Sequence, residues 1–95
     1  MIVKETGYDT LVARIADKSE KGKQLSDIER FFDMLYTAKN RTGEPWVTNA
    51  EFANAGMLRY AVHKHKLKTV YGVDVKVLDP IFKGGRIYRY ILGDN

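Results

Sequence analysis

The sequence predicts an α+β domain in which helices come first and strands last. Three observations carry that expectation. Apolar residues recur at spacings of three and four from Ile28 to Tyr36, behind a Ser26-x-x-Glu29 capping pattern. Two further helical stretches follow, divided by Gly56. After Gly72 the period falls to two, in VDVKVL and again in RIYRYIL.

Composition sets the bounds. Ninety-five residues suffice for one small domain with a single core, and 44% hydrophobic with 29% charged residues is a globular balance. The expected organisation is one domain over residues 1–95, with 1–24 as an N-terminal extension and 25–92 as the folded core. Without cysteine there is neither a disulfide framework nor a thiolate metal site. No apolar run approaches the roughly 18 residues of a membrane span, and no signal-peptide pattern opens the chain. A cytoplasmic location is the resulting expectation. The net charge of +4 is unevenly placed. Residues 1–58 hold eight Lys/Arg and nine Asp/Glu, whereas residues 59–95 hold eight Lys/Arg against Asp74, Asp79 and Asp94. A basic C-terminal part of this kind suits a polyanion, the alternative being an ordinary solvated surface.

Along the chain, MIVKETG reads as a short strand. DTLVARIADK suits a helix through Leu11, Val12, Ile15 and Ala16, and Asp9 or Thr10 offers a cap; its alternation also fits a strand. DKSEKGKQ (17–24) reads as a loop. The helix behind Ser26 carries Ile28, Phe31, Phe32, Leu35 and Tyr36 on one stripe, has Lys39 and Arg41 near its C-terminal end, and meets Gly43 as a stop. Thr48 and Glu51 repeat the capping-box spacing, and Val47 with Phe52 fits a hydrophobic staple. That helix is short because Gly56 follows closely. A second begins at once and runs over 57–71 to Gly72, so the pair reads as a helix-turn-helix. VDVKVL and RIYRYIL then form a hairpin around DPIFKGG.

This order, together with Trp46-Val47-Thr48 leading into AEFANAG, the basic HKHKLK run and the glycine-containing GGRIYRYIL, resembles the winged helix-turn-helix family over roughly residues 25–92. The resemblance implies a helix-turn-helix followed by a β-hairpin wing, and duplex DNA as ligand. It also resembles small single-domain proteins of phages. Under this reading the helix over 57–71 approaches the major groove with Arg59, His63, Lys64, Lys66 and Lys68, and a wing over 79–90 brings Lys83, Arg86 and Arg89 to the backbone or minor groove.

The helix over 57–71 carries apolar material on two faces. Leu58, Ala61, Val62, His65 and Thr69 share one; Tyr60, Leu67 and Tyr71 share the other, with His63 and Val70 beside them. Such a helix is sandwiched or meets a partner. Tyr60, Leu67 and Tyr71, with Ile81 and Phe82 in the hairpin loop, are therefore the candidate residues of an alternative, a protein-binding module or small phage-type inhibitor that docks on a host protein or nucleoprotein complex. A homodimer is a third way to cover the same surfaces. On a helix His63 and His65 diverge by about 160°, which rules out joint chelation, and His65 reads as a half-buried packing residue. Trp46 reads as core, between the second helix start and the hairpin, with an exposed partner hot spot as the alternative. No nucleophile elbow, phosphate loop or acid–base constellation is present, so no catalytic residue, metal or cofactor is expected. The expected function is that of a non-enzymatic DNA-binding regulator of transcription or replication.

Overall fold

The computed structural model describes residues 7–78 and 86–93. Among these the chain forms α1 (Gly7–Glu20), α2 (Asp27–Lys39), β1 (Val47–Thr48), α3 (Asn49–Asn54), α4 (Tyr60–Tyr71), β2 (Val75–Leu78) and β3 (Arg89–Leu92). Helices followed by a C-terminal antiparallel hairpin are the predicted class, a winged helix-turn-helix in general outline. Of the segment 1–7 expected as a strand, Gly7 opens α1 instead, and residues 1–6, like Ile81, Phe82 and Lys83, lie outside the described residues. No described helix is long and apolar enough to cross a membrane.

The segment expected as an extension contributes to the core. Leu11 and Ile15, one helical turn apart on α1, are buried, and Tyr8 sets its ring edge-on to Phe32 at 5.3 Å. The helix also runs further than expected, taking in Asp17–Glu20, the first half of the run read as a loop. Those polar residues make a solvent-facing turn: Lys21 pairs with Asp17 at 3.2 Å, and Lys18 turns inward to Glu29. At the other end of α1, a Cβ on Gly7 would stand 2.1 Å from the Tyr71 carbonyl oxygen. Only glycine lets the two helix ends approach so closely.

Helix α2 is the central element, and it starts as its sequence dictates. The Ser26 hydroxyl accepts from the Glu29 N–H, while the Glu29 carboxylate accepts from the Ser26 N–H at 2.8 Å. Phe31, Phe32, Leu35 and Ala38 are buried along it, and Phe31 stacks on Phe52 of α3 at 4.6 Å between centroids. Full burial of each of the Phe and Leu side chains is worth about 1.5–3 kcal/mol.

The second capping box, Thr48 with Glu51, starts α3. Its exit is a Schellman closure, in which the Gly56 N–H bonds the Ala53 carbonyl at 3.0 Å and the Met57 N–H bonds that of Phe52 at 2.9 Å. Gly56 sits at φ +81°, where a Cβ is strained. This closure uses up Met57, so α4 begins at Tyr60 rather than at 57: Met57 is buried, Leu58 projects into solvent, and Arg59 occupies the cap position without a capping side chain.

The sheet order is β1-β3-β2, antiparallel throughout, with Val47 opposite Tyr90 and Val75 opposite Leu92. Alternation along β3 turns Tyr90 and Leu92 to the core and leaves Arg89 and Ile91 half-buried on the other face.

Candidate nucleic-acid interface

Helix α4 shows which of its two apolar faces is internal. Leu67 is fully buried; Tyr60 packs with Phe52 and Tyr90, their centroids 6.0 and 5.7 Å away; Tyr71 accepts a hydrogen bond from Arg14 of α1 at 3.1 Å. Tyr60, Leu67 and Tyr71, candidates for a partner-facing surface, are therefore turned to the body of the domain. This corrects their expected exposure: α1 and β3 fill the space beside them. Ile81 and Phe82, the other two candidates, are outside the described residues.

The opposite face is open. Ala61, Val62, His65, Lys66, Lys68 and Thr69 are exposed there. The histidines exchange the roles expected of them. His63, one turn before Leu67, is half-buried with its ring 5.9 Å from that of Phe31, whereas His65 is exposed and only its carbonyl is engaged, by the Thr69 hydroxyl at 3.0 Å. Burial holds the His63 imidazole below the ordinary histidine pKa; Asp27 opposes that, and Lys66 and Arg59 add to it. Its Nδ1 has no hydrogen-bond partner among the described residues.

Arg59, His63 and Lys66 converge, as their i, i+4, i+7 spacing requires. With Leu58, Val62 and Asp27 they line a cleft of about 450 Å³ between the α3–α4 turn and the start of α2. Lys64, half-buried, and Lys68, exposed, occupy the other margin of the helix. Among the described residues none of Arg59, Lys64, Lys66, Lys68 and Arg86 forms an ion pair, while the ion pairs present join Arg14, Lys18, Lys21 and Arg30 to acids of α1 and α2. Residues 52–73 contain no Asp or Glu at all. The exposed charges of α4 itself are thus all positive, and Asp27 at the start of α2 is the acid that shares their cleft.

At the hairpin, Arg86 is exposed beside α3, and Lys83 falls outside the described residues. Arg89 is placed differently from Arg86: its guanidinium lies over the Trp46 ring at 5.0 Å, and it is half-buried. Trp46 is likewise half-buried, on the sheet, with its carbonyl accepting from Arg41 at 2.6 Å. Sequence reasoning missed the residue that ties the hairpin to the helices. Asn49, first in α3, donates from Nδ2 to the Arg86 carbonyl at 2.9 Å and accepts at Oδ1 from the Tyr88 N–H at 3.0 Å. Its own N–H bonds the Tyr88 carbonyl at 3.1 Å. An amide carries a donor and an acceptor side by side, so it extends the β1–β3 ladder where β1 has already become a helix. An Asn just after a cap Thr was the available signal, but nothing local marked its partners.

No family model, curated protein or solved structure matches the chain. The functional reading rests on the geometry above.

Proposed function

We propose that the chain is a non-catalytic duplex-DNA-binding protein of regulatory type, presenting α4 to the major groove and the residues around Arg86 to the flanking backbone. The observation that carries this reading is the open face of α4, where exposed Arg59, Lys66 and Lys68, with half-buried Lys64 at the margin, lie within an acid-free stretch and make no ion pair among the described residues. Cations left unpaired on the second helix of a helix-turn-helix suit phosphates, while the N-terminal part of that helix is suited to base edges. Arg86 supplies a further cation where the hairpin leaves the body. Lys83 belongs to the same reading by its position in the sequence. Arg89, held over Trp46, acts through the sheet and supports the wing from behind.

The test is duplex binding followed by fluorescence anisotropy across a salt gradient. Lys66→Glu and Arg86→Glu are expected to weaken binding at least tenfold while leaving the thermal transition in place, about 1.4 kcal/mol or more in each case. Folded variants that bind like the parent would overturn the reading.

A second reading, a protein-docking module on the same scaffold, draws on one observation: Leu58 and Val62 are 78% and 46% exposed at the cleft. Retention on a duplex-DNA column separates the two. Elution at low salt, with Lys66→Glu eluting alongside the parent, favours the docking module.

A further inference from the structure

The open face of α4 has a composition as informative as its charge. At about 100° per residue, Thr69 and His65 stand nearly opposite Leu67, with Val62 and Ala61 flanking them. Leu58 extends this strip at the N-terminal end, where it shares the cleft with Val62. Lys66 and Arg59 bound the strip on one side, Lys64 and Lys68 on the other. The strip contains no Asn, Gln, Asp or Glu, so the amide pairing that reads adenine and the carboxylate that reads cytosine are absent from it. What it presents instead, apart from the His65 imidazole, is methyl groups.

We infer that this strip reads thymine, by seating the side chains of Leu58, Ala61 and Val62 against the C5-methyl groups on the floor of the major groove. The inference rests on the DNA-binding reading above and names the base chemistry that the site would select. In the major groove the thymine methyl is the apolar group a base pair presents. The groove is also walled by phosphates on both sides, which matches an apolar strip with cations along both margins. A second copy of the chain fits this surface poorly. Two such faces brought together would oppose Arg59, Lys64, Lys66 and Lys68 to themselves, with Asp27 the single acid lining the cleft to offset them.

The experiment compares two pools of random-sequence duplexes, identical except that deoxyuridine replaces thymidine in one. Backbone, charge and pairing are kept, and only the methyls are removed. Each methyl lost is expected to weaken binding about fourfold, so two contacts give a preference of about fifteenfold for the thymine pool. Leu58→Ser with Val62→Ser, both at exposed positions, is expected to bring the two pools to the same affinity. Equal affinity of the parent protein for both pools overturns the inference and leaves the DNA-binding reading standing. Failure to bind either pool overturns both. Sedimentation of the protein alone closes the remaining route: a dimer that the double serine variant converts to monomer would assign the strip to self-association and overturn the inference.

Discussion

Glu29 makes two sets of contacts at once. Its carboxylate closes the capping box of α2, and it also receives the Lys18 ammonium, with the Arg14 Nε 4.0 Å away, at 1% residue exposure. Burial alone would raise its pKa, but hydrogen bonds from Lys18 and Ser26 and the charge of Lys18 bring it below the ordinary value. A carboxylate depressed in this way stabilises the fold fully above its unfolded pKa, and the contribution is lost as pH falls through the folded value. His63 acts in the same direction at higher pH: its depressed pKa means that acidification below the ordinary histidine value favours the unfolded chain. Urea midpoints should therefore decline in two stages on acidification, the upper absent in His63→Gln and the lower in Glu29→Gln. Glu29→Ala at neutral pH should cost about 1–3 kcal/mol, because it removes a cap and leaves the half-buried Lys18 without its partner. Asn49 is the other residue with two simultaneous duties. Asn49→Ala should cost about 1–3 kcal/mol and selectively raise amide exchange at Tyr88, whose N–H bonds the Asn49 Oδ1.

Among the elements, the α3–α4 turn decides how the candidate interface is displayed. Because Gly56 at φ +81° closes α3 through Met57, the chain reaches Arg59 before α4 begins, and Leu58 is left outward. Gly56→Ala should destabilise by about 1–2 kcal/mol, measured by thermal unfolding, with Gly56→Asn milder since Asn tolerates the left-handed region. The sequence made these elements legible wherever the relevant partners lie a few residues apart. Ser26 with Glu29 and Thr48 with Glu51 announced two helix starts, and Phe31, Phe32 and Leu35 announced the buried stripe behind the first. It failed where the partner is distant. The phase of α4 depends on Tyr71 meeting Arg14 and on Tyr60 meeting Tyr90; with apolar residues on both faces, nothing within the helix chooses between them. Helical periodicity alone therefore assigns His65 to packing and His63 to the surface, the reverse of their places in the fold. The Asn49 contacts to Arg86 and Tyr88, and the Arg89 contact to Trp46, span about forty residues of chain and left no local pattern.

On the scale of the whole molecule, the charge asymmetry of the sequence becomes a spatial one. Arg14 and Lys18 hold α1 to α2 through Glu29, whereas α4 keeps its cations without ion pairs among the described residues. Binding to a polyanion by Arg59, Lys64, Lys66, Lys68 and Arg86 predicts a plot of log affinity against log salt with a slope of about −4.5. Lys66→Gln should reduce that slope by about 1 without changing sequence preference, as expected of a phosphate contact. A slope near zero would be incompatible with the proposed interface.

The stacking of Arg89 on Trp46 also gives the molecule a built-in spectroscopic probe. The chain has a single tryptophan, so its indole emission arises from one place, the seam between β1 and β3. The wing strand cannot shift relative to the helical body without altering what covers that ring. Intrinsic fluorescence at 295 nm excitation, with no label attached, should thus register hairpin movement on ligand binding separately from global unfolding, and Arg89→Ala should change the emission of the folded protein while its helical circular dichroism persists.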